Sequence, residues 1–193
     1  MAVQSSFKNM TVCLFAICLV CSALLAGVYA LTKEPIDAAA KAKNEAAIKE
    51  VLPETASAIE EERTVEMDGV AYTYNLAYDA SGNTVGCAIN VSTLGFGGPI
   101  AIEVGFDMNG VICNTKVLSQ AETPGLGAKC VEPSFSGQFK GFDPAEKKLS
   151  VKKDGGDVDA ITASTITSRA YADGLATAVK VFQTIGQTPM PLN

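Results

Sequence analysis

The stretch VAYTYNLAYDASGNTVGCAINVS, Val70 to Ser92, holds two runs of apolar, β-branched and aromatic residues on either side of Ser81-Gly82-Asn83. Such residues suit a pleated, half-buried surface, and a Gly/Asn interruption turns the chain back on itself, so the stretch reads as two antiparallel strands. The same pattern continues on both sides. Asp68-Gly69 precedes the first run, and IAIEVGFDM (Ile100 to Met108) and VICNTKVLS (Val111 to Ser119) follow, with Asn109-Gly110 between them. From about Ile59 the chain is expected to form an antiparallel meander.

Beyond the meander the period changes. Tyr171, Leu175, Ala178, Val179, Phe182 and Ile185 recur at three- and four-residue spacing, which predicts an amphipathic helix, with Gly186 as its C′ residue and Pro189 beyond it. Ahead of the sheet, EPIDAAAKAKNEAAIKEVLP predicts a helix starting with Pro35 in the first position and stopped by Pro53. The fold class is therefore α+β, an antiparallel sheet with a C-terminal helix.

At the N-terminus, MTVCLFAICLVCSALLAGVYAL (Met10 to Leu31) lies in a charge-free stretch from Asn9 to Thr32. As a helix rising 1.5 Å per residue it reaches roughly 33 Å, enough for a hydrocarbon core of about 30 Å. A cleaved leader ending at Val28-Tyr29-Ala30 is the rival reading, but its apolar region would be only about 7–15 residues. An uncleaved single-pass anchor is expected. Lys8 precedes the span while Lys33, Lys41, Lys43 and Lys49 follow it. Charge directs topology mainly in short loops, so the long segment after Thr32 can still translocate. The expected topology is N-terminus in the cytoplasm and C-terminal domain outside. The domain boundaries are residues 1–32 for the N-terminal segment and span, 33–57 for a juxtamembrane helix and linker, and 58–193 for the folded domain.

Composition excludes several chemistries. The chain has no histidine, so it holds no Ser/His/Asp triad, histidine-ligated zinc or imidazole shuttle. With 15 basic and 21 acidic residues it lacks a surface for nucleic acid. Cys13, Cys18 and Cys21 lie in the span, where Cys18 and Cys21 suit helix packing better than metal binding. Cys87, Cys113 and Cys130 are odd in number and cannot complete a disulfide set. Redox chemistry here would need a cofactor.

Three segments point to where that cofactor would sit. GFGGPI (Gly95 to Ile100) is a loop allowing close backbone approach, and ETPGLG (Glu122 to Gly127) has Pro124-Gly125 placed for a type II turn. ITASTITSRA (Ile161 to Ala170) carries five hydroxyls, Thr162, Ser164, Thr165, Thr167 and Ser168, just before the amphipathic helix. One hydroxyl suffices for a cap, a role expected of Thr167. The others, together with the free N–H groups of the helix start, suit a phosphate.

DAITASTITS (Asp159 to Ser168) resembles the flavinylation motif of the family that includes the G subunit of the Rnf complex and the C subunit of the sodium-pumping NADH:quinone reductase. In that family a Ser/Thr-Gly-Ala-Thr sequence carries FMN, esterified through its phosphate to the last threonine. The matching positions are Thr162, Ala163, Ser164 and Thr165, with Ala163-Ser164 standing where the motif has Gly-Ala. The N-terminal span, TKEPIDAA (Thr32 to Ala39), GFGGPI and ETPGLG recur in the same order, so the resemblance covers nearly the whole chain. Its length favours the Rnf subunit over the longer reductase subunit.

The resemblance implies an FMN-binding domain with FMN covalently bound at Thr165. Thr162, Ser164 and Thr167 would lie about the phosphate and ribityl end, and Glu122, Thr123, Gly125 and Leu126 would border the ring, with Leu126 packing against it. It further implies an electron-carrying subunit in the cytoplasmic membrane of a bacterium or archaeon. The other Rnf membrane subunits would be partners, a flavin transferase would mature it, and electrons would pass between ferredoxin and NAD with coupled sodium or proton translocation. Such a subunit is not catalytic alone. An anchored domain that binds a ligand without any redox role is the alternative from another class, and it would be colourless.

Overall fold

The computed structural model describes residues 7–187. Its first element, α1 (Phe7–Val51), is a single helix with Pro35 inside it. The helix expected to begin at Pro35 is thus a continuation of the first one. Proline removes one i→i−4 bond, here to the Leu31 carbonyl, and crowds the turn before it. Nearby, the Thr32 hydroxyl donates to the Val28 carbonyl at 2.8 Å. Residues up to Lys43 form one compact unit and Asn44 onward a second. The apolar part of α1 is long enough to cross a membrane, and its large side chains from Phe7 to Leu31 are exposed.

The second unit is built on six strands: β1 (Ala58–Ile59), β2 (Arg63–Met67), β3 (Val70–Tyr78), β4 (Thr84–Leu94), β5 (Pro99–Asp107) and β6 (Ile112–Ser119). All pairings are antiparallel, in the order β1-β3-β4-β5-β6, with β2 also on the free edge of β3. The turns at Asp68-Gly69, Ser81-Gly82-Asn83 and Asn109-Gly110 fall between strands as expected. The register places Cys87 opposite Phe106, Ile89 opposite Val104 and Val91 opposite Ile102. Because side chains alternate across a strand, these residues line one face. There they meet α3 (Thr165–Gln187) through Tyr171, Leu175, Ala178, Val181 and Ile185.

The C-terminal helix runs through Gly186, which was expected to lie just past its end. A glycine inside a helix costs only about 1 kcal/mol relative to alanine, too little to stop it unaided. Pro189 lies outside the described residues. Between β6 and α3 the chain has no long element. A 3-10 turn (Gly127–Val131), the short helix α2 (Pro133–Ser136) and two further 3-10 turns close the end of the core. Their aromatic residues gather around Tyr171, which stacks on Phe139 at 5.1 Å and meets Phe135 edge-on at 5.2 Å. Its hydroxyl is 2.8 Å from Thr115 Oγ1.

The opposite face of the sheet carries the end of α1. Ile48, Val51 and Leu52 pack with Ala77 and Ala88. A Cβ at Gly105 would strike the Val51 carbonyl, so the glycine permits that approach. Glu103 belongs to the same face, opposite Asn90 on one side and Lys116 on the other. It is 1% exposed and accepts a hydrogen bond from Asn90 Nδ2 at 2.9 Å. Lys116 instead pairs with Glu50 at 2.8 Å. Burial, aided by repulsion from Glu62, outweighs the Asn90 bond and lifts the Glu103 carboxyl to about 7.

Cys87, Cys113 and Cys130 are free thiols. Burial pushes Cys87 up to about 12 and the other two up to about 11, so all three remain protonated at neutral pH.

Glu103 gives the fold a definite pH dependence. Its folded-state pKa lies above the ordinary 4.5, so between about 4.5 and 7 the folded chain retains a proton that the unfolded chain releases. Stability falls as pH rises through that window, by on the order of 3 kcal/mol at its upper end. Glu103→Gln removes the penalty. Thermal unfolding of the full chain in detergent should show the variant more stable than wild type at pH 8 and the two converging near pH 5. Parallel pH curves would contradict the assignment.

Candidate functional site

Three segments distant in sequence meet at one end of the domain: the tip of the β4–β5 hairpin, the turn after β6 and the start of α3. The hairpin tip is closed by the Gly95 N–H donating to the Gly98 carbonyl at 2.9 Å. In the second segment the Leu126 N–H reaches the Thr123 carbonyl at 3.1 Å, and Gly125 takes φ 78°. That is the type II turn expected of Pro124-Gly125. The third segment turns at Thr162-Ala163 before α3 starts at Thr165.

Glu122 joins these segments. It is 6% exposed, and its two carboxylate oxygens face two different elements. Oε1 accepts the Gly97 N–H at 2.9 Å, and Oε2 accepts the Thr167 hydroxyl at 2.6 Å. A buried carboxylate needs such donors, because leaving it unpaired in a low dielectric is costly. The packing is close enough that a Cβ at Gly127 would run into both Glu122 Oε2 and Thr167 Oγ1.

A cleft of about 430 Å³ opens between the segments, lined by Phe96, Glu122, Thr123, Leu126, Gly127 and residues 163–167. Its size falls within the range of about 300–1,000 Å³ common for small-molecule sites. Large apolar side chains stand exposed at its walls: Phe96 is 70% exposed, Ile166 53% and Leu126 43%. Glu122 is the one charged residue among the cleft-lining residues, and its charge is met by two donors.

The expected site residues divide into groups. Glu122, Thr123, Leu126, Ser164, Thr165 and Thr167 all line the cleft. Thr162 is exposed on the preceding turn, and Gly125 shapes its own turn; neither is a lining residue. Thr167, expected to cap the helix, sits inside its first turn and is engaged by Glu122. Ser168 also turns inward, bonded to Ile161 and Ser164. Within the hydroxyl cluster, Thr167 and Ser168 are thus buried and bonded within the fold, while buried Ser164 and half-buried Thr165 line the cleft with Thr167, and Thr162 is exposed. Phe96, Gly127, Ala163 and Ile166 lie in the three segments the sequence pointed to but were not singled out there as site residues. Phe96 had a visible signal, an aromatic residue alone among glycines in GFGGPI.

These residues fit a phosphate-bearing aromatic cofactor. The start of α3 supplies N–H groups that lack intrahelical acceptors and favours negative charge. Thr165 offers a partly exposed hydroxyl there. Phe96, Leu126 and Ile166 offer apolar surface to a ring, and Cys130 beside Glu122 stays a neutral thiol.

Comparison with known proteins agrees with this geometry. Residues 95–180 match the FMN-binding domain, and residues 1–51 match the RnfG N-terminal region. The G subunit of the ion-translocating oxidoreductase complex of Methanosarcina acetivorans is 34% identical over 183 residues, covering 93% of this chain and 96% of that one. The G subunit of the Na(+)-translocating ferredoxin:NAD(+) oxidoreductase complex of Acetobacterium woodii is 34% identical over 113 residues, covering 56% of this chain and 54% of that one. Among solved structures, the C subunit of the Na(+)-translocating NADH-quinone reductase of Parabacteroides distasonis shares the fold, with a TM-score of 0.52 at 23% identity over 68% of this chain and 80% of that one. With an FMN-binding domain around the cleft and a relative matched over nearly its full length, the chain belongs to the family of G subunits of ion-translocating oxidoreductase complexes.

Proposed function

We propose that this chain is the electron-relaying G subunit of an Rnf-type complex, and that it holds FMN as a phosphoester on Thr165. The observation that carries this reading is the position of Thr165: it is the first residue of α3, half-buried, and lines the cleft beside a hydrogen-bonded, buried Glu122. The helix start receives the phosphate, Ser164 and Thr165 border the ribityl end, and Phe96, Leu126 and Ile166 pack against the ring. FMN supplies the capacity to accept and pass on electrons. The chain's residues bind it, orient it and exclude water from its attachment point. Esterification at the phosphate retains the cofactor while leaving the distant ring chemically unaltered.

In this reading residues 1–32 anchor the chain in the cytoplasmic membrane, 33–57 connect, and 58–193 present the flavin on the outer face. Electrons travel between ferredoxin and NAD through the assembled complex. The apolar span from Met10 to Leu31 contains no charged residue to serve an ion path, so translocation belongs to the partner subunits. A flavin transferase carries out maturation.

Thr165→Ala tests the attachment. After co-expression with a flavin transferase, the variant should lose in-gel flavin fluorescence completely while its stability changes by less than about 1 kcal/mol, since a part-exposed hydroxyl is removed. Thr167→Val should behave oppositely. It keeps covalent flavin but loses about 1–3 kcal/mol of stability, because Glu122 Oε2 is left without its donor. Fluorescence persisting in Thr165→Ala would overturn the assignment, and a colourless wild type would favour an anchored domain that binds a ligand without a flavin.

A further inference from the structure

We infer that Ser168 is the positioning residue of the flavin-acceptor segment: its hydroxyl latches a strained turn, Ile161 to Ser164, onto the first turn of α3 and so fixes the backbone that presents Thr165. The inference rests on the reading of Thr165 as acceptor, but the latch has consequences of its own.

The turn closes with the Ser164 N–H donating to the Ile161 carbonyl at 3.0 Å. Its third residue, Ala163, has φ 62°. A type II turn requires positive φ at that place, which glycine takes freely and alanine takes only against its own Cβ. Without restraint an alanine turn would relax toward type I by flipping the Thr162–Ala163 peptide. That flip would redirect the backbone entering α3.

Ser168 opposes the flip from inside the fold. It is fully buried, and its Oγ accepts the Ile161 N–H at 2.9 Å while donating to the Ser164 carbonyl at 3.0 Å. The Ser168 N–H reaches the same Ser164 carbonyl at 3.1 Å. Both ends of the turn are therefore held by one residue. Serines in helices often bond the carbonyl four residues back, and that bond alone would say little. The bond from Ile161, outside the helix, converts an ordinary back-bond into a clamp across the turn.

Geometry matters here because transfer needs the acceptor oxygen in line with phosphorus. The Thr165 Oγ–H bond is replaced by an Oγ–P bond to the FMN moiety of FAD as the pyrophosphate P–O bond breaks. AMP leaves with the bonding pair, and the hydroxyl proton passes to a base on the transferase. A displacement of about 1 Å in such an arrangement costs about a hundredfold in rate.

The test uses the full chain in detergent, prepared without flavin, as wild type, Ser168→Ala, Ala163→Gly and the double variant. Amide hydrogen exchange reports the latch, and flavin incorporation from FAD by purified transferase reports positioning. Ser168→Ala should speed Ile161 amide exchange and slow flavin incorporation, each by at least roughly tenfold. Ala163→Gly, free of the strain, should restore incorporation in the double variant to within about threefold of wild type while Ile161 remains fast-exchanging. A merely structural serine would not be rescued by a change at another residue. Wild-type incorporation in Ser168→Ala, or no rescue in the double variant, would overturn the inference. If wild type takes up no flavin, the acceptor reading fails and exchange at Ile161 alone decides: faster in Ser168→Ala supports the latch, unchanged refutes it.

Discussion

The cleft depends on one buried carboxylate. Glu122 accepts from the Gly97 N–H with one oxygen and from the Thr167 hydroxyl with the other, joining partners 25 and 45 positions away along the chain. Its burial imposes the surroundings. Gly95 and Gly127 both lack the Cβ that would collide with the carboxylate, and the hairpin tip, the type II turn and the helix start converge on the same point. A negative charge near the first turn of α3 is also favourable in itself. The cleft wall is thus held by charge-assisted hydrogen bonds, leaving the exposed apolar side chains free for a ligand.

The two faces of the sheet carry different burdens. The α3 face is mostly apolar, with the buried Thr115–Tyr171 hydroxyl pair within it, and ends in the aromatic group around Tyr171, which gives the helix start a rigid base. The other face receives the end of α1 and contains Glu103. The two buried glutamates contrast instructively. Glu122 has a full-strength donor on each oxygen. Glu103 has the Asn90 amide, while the neighbouring lysine is drawn to Glu50, and burial outweighs the Asn90 bond and raises its pKa.

Much of this was legible in the sequence because it is local. Strand periodicity and turn residues placed β3, β4, β5 and β6 to within two residues, and Pro124-Gly125 announced its turn. What stayed hidden depends on contacts between distant segments. Thr167 looked like a cap because its partner, Glu122, adjoins it only in space. Pro35 and Gly186 looked like helix boundaries because local propensity marks them so, yet the helices continue through both. The wrapping segment from Gly127 to Val158 has no sustained period to read. The left-handed conformation at Ala163 gives the resemblance a physical sense: the family's motif has glycine where this backbone needs positive φ.

The central claim is that this cleft holds a flavin bound covalently at a defined oxygen. Mass spectrometry of the chain isolated from its own membranes tests it most directly, on the tryptic segment from Asp154 to Arg169. The account predicts a mass gain of FMN less one water, with fragmentation placing it on Thr165. An unmodified segment, or FMN placed on Thr162 or Thr167, would contradict it.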